Sequence, residues 1–450
     1  MSCRRRDARE GERPELLGTL RDFSFEGLSI RLSPETPAPV TIGDVCSVIV
    51  ESPSGPRIEL QGEVRATPRG TRAEPPFVGL RIRPASHRHG VAWLDFIEQL
   101  QHPRVRTGST RIDDVWALYE RAGYFGLSGK RPADFEDRRA QYVESTIRAL
   151  ESPSVGLQAV WPEEGTPEAT LAALRLYETA WLGFHMAKCG GPAKDGTPGR
   201  RVLRDIHFTI YERIERDPAA RWIVGYTQVH KVWSRLCHHD VTARFARTPD
   251  ATVWRFRAIE INAPPRSPAL QPSTSVGLAT ATERDWVLAE LAKRQPEPFL
   301  EALDLVPSRF DLREVRRRFW IAGLERERAL FVARHEGMVV AAIVAELADE
   351  GLHLFRLLDH AIPFSLTPRG SAFFPHLFAA VHEFYASRRR SGWVLFLDAG
   401  APAALFETLA DFADLGEADM CILSTRRMPD FFEHLLAITA PRAISTPVGG

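Results

Sequence analysis

Much of what would settle a function at sight is missing from this sequence. No stretch of about 18 apolar residues occurs in it, which excludes a membrane-spanning helix. The basic N-terminus, CRRRDARE, has no apolar run behind it, so no secretory leader is expected. Cysteine is scarce: Cys3, Cys46, Cys189, Cys237 and Cys421 are scattered, with no C-x-x-C pair. That excludes a disulfide framework and points to a reduced, cytoplasmic setting. Net charge is absent too, with 58 basic residues against 58 acidic ones, whereas a duplex nucleic acid would want a basic face. No Ser-His-Asp set, G-x-S-x-G elbow or Walker-type loop is found, so no hydrolase nucleophile or phosphate-binding loop is expected. What remains is ordinary globular material, 44% hydrophobic and 26% charged over 450 residues. That length suggests roughly two to four domains.

The most informative stretch is DFSFEGLSI, residues 22–30. It reads as a strand end, a tight turn and a second strand. Asp22 and Ser24 carry short oxygen-bearing side chains that can bond backbone or a ligand. Gly27 permits a backbone angle closed to other residues and lets a flat ligand lie close. Leu28, Ile30 and Leu32 then alternate with Ser29 and Arg31, the period of a half-buried strand. Short strands follow at 45–50, 58–66 and 77–82, with the turn Pro53-Ser54-Gly55-Pro56 between the first two. A helix with Trp93, Phe96, Ile97 and Leu100 on one stripe comes next. Short strands, Gly/Pro turns and one closing helix suggest a small β-barrel.

At this point the chain resembles the PilZ family of cyclic di-GMP receptors. The likeness is carried by D-x-S-x-x-G at Asp22, Ser24 and Gly27, by the strand order, by VGLRI with Gly79, and by the closing helix. It covers roughly the first hundred residues. The resemblance implies that the Asp/Ser/Gly turn holds a guanine and that an R-x-x-x-R pair ahead of the first strand grips phosphate. Guanidinium forks suit phosphate oxygens, and their planes suit a purine face. Arg5 and Arg9 stand at that spacing. Only about a dozen residues separate Arg9 from Asp22, too few for a first strand, its turn and a second strand. In a second alignment MSCRRRDA is itself the first strand, REGERPE the turn and LLGTLRDFS the second strand. The arginine pair would then lie upstream of Met1, and Arg4, Arg5, Arg6 and Arg9 would form a solvated basic terminus. Both alignments stay open.

Residues 101–112 read as a linker. Beyond it two helices precede strand-like runs at 155–160, 169–177 and 181–187. The loop CGGPAKDGTPGRR, 189–201, leads into a helix aligning Leu203, Ile206, Ile210 and Ile214. A strand from Arg221, a helix from about Val232 and a strand at 254–261 complete this half. The second half repeats the order. A helix at 312–324 precedes three strands joined by turns at His335-Glu336-Gly337 and Asp349-Glu350-Gly351. The loop SLTPRGSA, a helix with Phe374, Leu377, Phe378, Val381 and Tyr385, and the strand GWVLFL follow. A helix with Leu405, Leu409 and Phe412 and a short strand at 421–423 end the half. Thr197-Pro198 and Trp222 match Thr367-Pro368 and Trp393. We read this as a whole-domain duplication at an offset of about 170 residues.

This element order resembles the GNAT acyltransferase fold. The resemblance implies that a Gly-rich loop after the fourth strand binds coenzyme A pyrophosphate at a helix N-terminus. The first loop has Gly190, Gly191, Gly196 and Gly199, and the second has Arg369, Gly370, Ser371 and Ala372. Both depart from the family's spacing, which puts acyl-CoA binding in doubt and favours loops with helix-capping residues.

Among other candidates, Cys237-His238-His239-Asp240 looks metal-like, but neighbours on a helix diverge, so an exposed polar turn and no metal are expected. His185 is expected to be a satisfied core residue. Glu178, Tyr211 and Tyr226 could supply an acid or base for acyl transfer. Arg388-Arg389-Arg390 is expected to be a solvated helix end.

The expected fold class is α+β. A six-stranded-type, PilZ-like β-barrel occupies 1–102. Two mixed α/β GNAT-like domains follow at 109–262 and 301–445, joined by a linker and helix at 263–300. The expected function is a cyclic di-GMP-binding signalling protein with an acyltransferase-like output region. Alternatives are an N-acyltransferase with a regulatory barrel, or a non-catalytic protein-interaction module. The expected ligands are cyclic di-GMP at Asp22, Ser24, Gly27, Arg5 and Arg9, and an acyl-CoA. A protein partner is expected to be compatible; nucleic acid is not.

Overall fold

The structure is a computed structural model. It describes residues 2–5, 15–24, 26–33, 41–51, 57–67, 77–109, 111–128, 132–162, 164–228, 230–269 and 272–440. The chain forms two compact units, Met1–Arg104 and Val105–Gly450.

The first unit is a closed barrel in the order β1-β2-β3-β6-β5-β4. Its strands are β1 Ser2–Arg5, β2 Glu15–Phe23, β3 Gly27–Leu32, β4 Val45–Val50, β5 Ile58–Ala66 and β6 Phe77–Pro84. Alternation drives the closure: in β5, Ile58, Leu60, Gly62 and Val64 point inward, while Glu59, Gln61 and Arg65 face water. Helix α1, His87–Gln101, adds Trp93 and Ile97 to the same core. Leu100, in its last turn, stays exposed.

β1 settles the open alignment of the N-terminus. Arg5 ends the first strand, opposite Cys46, instead of preceding it. The pairing of Ser2 with Leu17 and of Arg4 with Glu15 is that of the second alignment, in which this stretch is itself the first strand. Arg9 lies outside the described residues.

The second unit holds one 12-stranded sheet. Its first half runs β7 Arg106–Thr107, α2 Ile112–Arg121, α3 Arg139–Leu150, β8 Gly156–Trp161, β9 Ala169–Leu174, β10 Ala180–Lys188, α4 Gly199–Glu215 and β11 Trp222–Gln228. A helical segment follows, with α5 Val232–Ser234, a π-turn Arg235–His239 and α6 Asp240–Phe245, and then β12 Ala251–Ile261. The second half runs β13 Thr274–Leu278, α7 Ala281–Ala292, α8 Glu297–Ala302, α9 Arg313–Ile321, β14 Arg326–His335, β15 Met338–Ala348 and β16 His360–Ser365. It ends with α10 Phe374–Ser387, β17 Trp393–Asp398, β18 Phe412–Ser424 and α11 Met428–Thr439. Among the described residues no helix is long and apolar enough to cross a membrane.

The strand order is β13-β14-β15-β16-β17-β12-β18-β11-β10-β9-β8-β7. Each half's last strand is seated against the other half. β12 pairs with β17 over Phe256–Ile261, and β18 pairs with β11 from Ser424 to Ala418. One core cluster accordingly holds Leu182 and Val224 together with Val332 and Val394. The segment 263–300 supplies an edge strand, β13, paired with β14, beside its helix α7.

Three readings of the second half shift. The third strand of its meander is His360–Ser365, after the stretch GLHLFRLLD. That stretch is a buried turn and loop whose apolar residues fill the core without pairing. The apolar run expected as a helix around Leu405 and Leu409 is a short 3-10 turn, Ala403–Thr408. Phe412 opens the strand β18, which reaches back well before the expected 421–423.

Candidate functional site

The site is built where two parallel strands part. β10 and β11 pair in register from Ala180↔Trp222 to Gly183↔Gly225. Both strands continue, to Lys188 and Gln228, but apart. The cause lies on the other edge of β10. Phe184 pairs with Ala172 and Ala187 with Thr170, so His185 and Met186 both stand opposite Leu171. That is a β-bulge, a device that bends a strand and re-aims its side chains. His185 takes it up with φ of 52°, a conformation that costs a non-glycine residue about 1–3 kcal/mol and is common at functional sites.

Between the parted strands lies a cavity of about 340 Å³. It passes from one face of the sheet to the other. Leu171, Met186, Tyr211 and Trp233 line it and belong to the core under α4. Phe184, Tyr226 and Phe256 also line it and belong to the opposite core. Gly183 sits at the fork: a Cβ there would lie 2.8 Å from Tyr211 Oη, so a side chain would push that phenol aside.

The buried phenols and imidazoles of the wall are neutral, and Lys231 also lines the cavity. Burial pushes the phenols of Tyr211 and Tyr226 well above the usual tyrosine range. The Tyr226 hydroxyl is buried and has no hydrogen-bond partner among the described residues. Burial, with His353 beside it, pushes His185 well below the usual histidine range. Burial and then His360 bring His353 down to about 3. The two imidazoles are 4.8 Å apart. Leu354 N–H donates to His185 Nε2 at 3.5 Å, which places the ring proton on Nδ1. Thus Tyr211, Tyr226 and His185 come together, and His185 is a wall residue as well as a core one. Glu178 is elsewhere: its N–H donates to Asp304 Oδ2 at 2.6 Å.

The loop after β10 is closed on itself. Lys188 Nζ donates to the carbonyl oxygens of Cys189 and Gly191 at 2.5 and 2.6 Å. Gly199 opens α4 against that side chain, and a Cβ there would lie 2.6 Å from Lys188 Cε. The helix itself forms because Val202, Ile206, Ile210 and Ile214 recur on one buried face. The corresponding loop of the second half is a 3-10 turn, Gly370–Phe373. A Cβ on Gly370 would lie 2.3 Å from Val340 O.

The Cys237-His238 pair departs from the exposed helical turn expected for it. The segment is a π-turn and Cys237 is buried. Adjacent residues that diverge on an α-helix here face the same neighbour, His207 on α4. His239 turns away, with Nδ1 3.1 Å from Asp240 Oδ1 and Nε2 3.6 Å from Asp419 Oδ2. Sequence reasoning missed His207 because it lies thirty residues earlier, on a helix read only for its apolar stripe. Arg390, expected to be solvated, is largely buried and donates to Glu325 and to Ala348 O at 2.9 and 2.8 Å.

On the barrel, Asp22 and Ser24 are exposed at the β2–β3 turn. Ser24 N–H donates to Gly27 O at 2.7 Å, and Asp22 Oδ1 accepts from Phe23 N–H at 2.9 Å. Gly27 opens β3 as extended backbone instead of the special angle expected. A Cβ there would meet Leu80 O and Ser24 Oγ at an ordinary 3.4 Å.

No family model matches the chain, and no curated protein matches it in sequence. Solved structures do resemble it. A GCN5-related N-acetyltransferase from Sphaerobacter thermophilus is 12% identical, covering 72% of this chain and 96% of its own, with a TM-score of 0.41. A tandem GNAT protein from the clavulanic acid biosynthesis pathway is 10% identical, covering 71% and 98%, with a TM-score of 0.37. A GCN5-related N-acetyltransferase from Anabaena variabilis is 13% identical, covering 71% and 72%, with a TM-score of 0.30. At these identities and scores the likeness carries no argument about chemistry, which rests on the fork and its cavity.

Proposed function

We propose that the second unit is an N-acyltransferase that takes an acyl thioester of coenzyme A into the fork between β10 and β11. The observation that supports this is the parting of the two strands at Gly183 and Gly225, which opens a cavity through the sheet. A narrow thioester arm can thread such a fork from the α4 face and present its carbonyl to an amine arriving from the other face. The wall suits the arm: it is mostly apolar, a Cβ on Gly225 would meet no described atom within 4 Å, and the Tyr226 hydroxyl has no partner among the described residues. Lys188 lies beside the start of α4 and Arg200 and Arg201 in its first turn, and the helix N-terminus favours anions there.

Acyl transfer to an amine requires a neutral amine, a polarised carbonyl and a proton for the departing thiolate. Tyr226, kept protonated by burial, can donate that proton to the thiolate and regain one from the amine nitrogen as the C–N bond forms and the C–S bond breaks. His185 and His353 are held neutral and too weakly basic to strip an ammonium, so the acceptor must arrive as the free amine. Thermal shift across acetyl-, butyryl- and palmitoyl-CoA tests the reading. Stabilisation by at least one of them, and thiol release with an amine acceptor that falls about a hundredfold in Tyr226→Phe, is the expected result. No shift with any CoA thioester would overturn it.

A second reading concerns the barrel: a cyclic di-GMP sensor with Asp22 and Ser24 on the guanine. It is favoured by the exposed Asp22 and Ser24 beside one tight turn of a closed six-stranded barrel. Gly27 completes this proposal; Arg5 ends the first strand instead of preceding it and Arg9 lies outside the described residues, so no phosphate contact is assigned to either. Calorimetric titration with cyclic di-GMP should give heat that Ser24→Ala diminishes. A folded protein giving no heat would leave the barrel without this ligand.

A further inference from the structure

Beside the cleft, and reaching its wall through His238 alone among the three, lies a cluster that the acyl-transfer reading does not use. His207 of α4 and Cys237 and His238 of the π-turn bring one nitrogen or sulfur donor each within 4.8 Å of one another. We propose that these three side chains bind a zinc-class divalent ion.

Three independent features point the same way. First, His207 is fully buried, and its Nδ1 lies 2.6 Å from Leu203 O. A carbonyl can only accept, so Nδ1 carries the proton and Nε2 presents a lone pair. A ring nitrogen tied to a backbone carbonyl, with the other free, is the usual state of a metal-bound histidine. Second, Nε2 is buried and has no hydrogen-bond partner among the described residues. A buried polar atom left so costs about 1–3 kcal/mol, and an ion would satisfy it. Third, the π-turn is what aims Cys237 and His238 together. Such one-turn insertions are frequent at functional sites.

The donor set selects the ion. One thiolate and two imidazoles suit zinc or cobalt and do not suit calcium or magnesium. Zinc bonds of about 2.3 Å to sulfur and about 2.0 Å to nitrogen put tetrahedral ligands roughly 3.5 Å apart. Side-chain shifts of about 1 Å therefore close the site. Binding releases the Cys237 thiol proton to solvent, and three protein donors leave a fourth position for water or a small ligand. His238 also lines the cleft, so the ion would brace the wall from which α4 and the π-turn both hang.

Cobalt(II) titration of the metal-stripped full chain tests this without reference to activity. One equivalent should bind, with a thiolate-to-cobalt charge-transfer band and tetrahedral visible bands, and zinc should displace it. Cys237→Ser should remove the charge-transfer band, and His207→Gln or His238→Gln should weaken binding at least tenfold. Cys46→Ser, altering a buried thiol of the barrel, should change nothing. Circular dichroism confirms that each variant is folded; should Cys237→Ser fail to fold, the His238→Gln variant carries the test. Absence of a charge-transfer band in the unaltered protein would overturn the proposal. So would a band that persists in folded Cys237→Ser, or undiminished binding in folded His238→Gln.

Discussion

In the first half of the sheet, β10 and β11 pair over four residues and then leave a cavity. In the second, β16 and β17 pair only at His360↔Val394 and Ala361↔Leu395, and side chains fill the equivalent place. The His360 ring stacks on Phe396 with centroids 4.6 Å apart, and Tyr385 Oη donates to Glu346 O and His360 O at 2.6 and 2.8 Å. Arg294 caps the end of β16 by donating to Ser365 O and Leu366 O at 3.1 and 2.6 Å. The same topological position is therefore a cleft or a core according to what stands at the fork. Glycines open it; a histidine, a phenylalanine and a tyrosine close it.

The closed half is also braced by charge. Glu346 lies 2.6 Å from both Arg326 and Arg328, and all three are buried. Burial pushes the Glu346 carboxyl up, but the two guanidiniums more than offset this and hold it at about 2. Arg326 reaches across to Leu176 O of the first half at 3.3 Å. We read the second half as the anchor and the first as the working half.

The strongest way to break this contrast is to unpair the anchor. Glu346→Gln should cost about 3–5 kcal/mol, because two buried guanidiniums lose their counter-charge. Urea unfolding should report it; a change below about 1 kcal/mol would remove the anchor role. Tyr385→Ala, which removes a ring stacked on Trp393 and bonded to His360 O, should hollow the closed fork at a similar cost of about 3–5 kcal/mol while leaving any CoA thermal shift intact. Gly183→Val should do the reverse. It fills the open fork, costs about 1–3 kcal/mol by overpacking against Tyr211, and should abolish the CoA response. Retained CoA binding in folded Gly183→Val would place the ligand elsewhere.

A smaller, graded effect should appear with pH. His353 in the cleft wall and His360 in the closed fork are pushed down by burial to about 3 and about 4. An unfolded histidine titrates near 6.5. Each native imidazole thus contributes stability that is complete above about pH 6.5. It is lost at about 1.4 kcal/mol per pH unit as pH falls towards the folded value. Asp304 and Asp359, pushed up by burial to about 6 and about 7, act oppositely: their destabilisation grows as pH rises from about 4. His353→Gln and His360→Gln should each therefore flatten the acid-side loss between pH 6.5 and 4.5 in denaturation curves. An unchanged slope in both would mean that these rings are protonated in the folded state.

The barrel and the anchor were legible in unequal measure. Alternation in Ile58–Ala66 announced an inward and an outward face, and the turn at Asp22 and Ser24 sits where its residues suggested. The stretch GLHLFRLLD misled, because a run of apolar residues fits a strand and a buried loop equally well.

Local pattern was enough to order the elements of this protein, because period and turn chemistry act over a few residues. It also suggested that the two halves correspond, through Thr197-Pro198 and Trp222 against Thr367-Pro368 and Trp393. Only the tertiary structure decided that β12 and β18 cross into each other's half, that Gly183 and Gly225 form a fork, and that His207 meets Cys237 and His238. Those are pairings between residues far apart in the chain. Their register depends on which surfaces are left to bury once the local elements exist, and no short stretch carries that information.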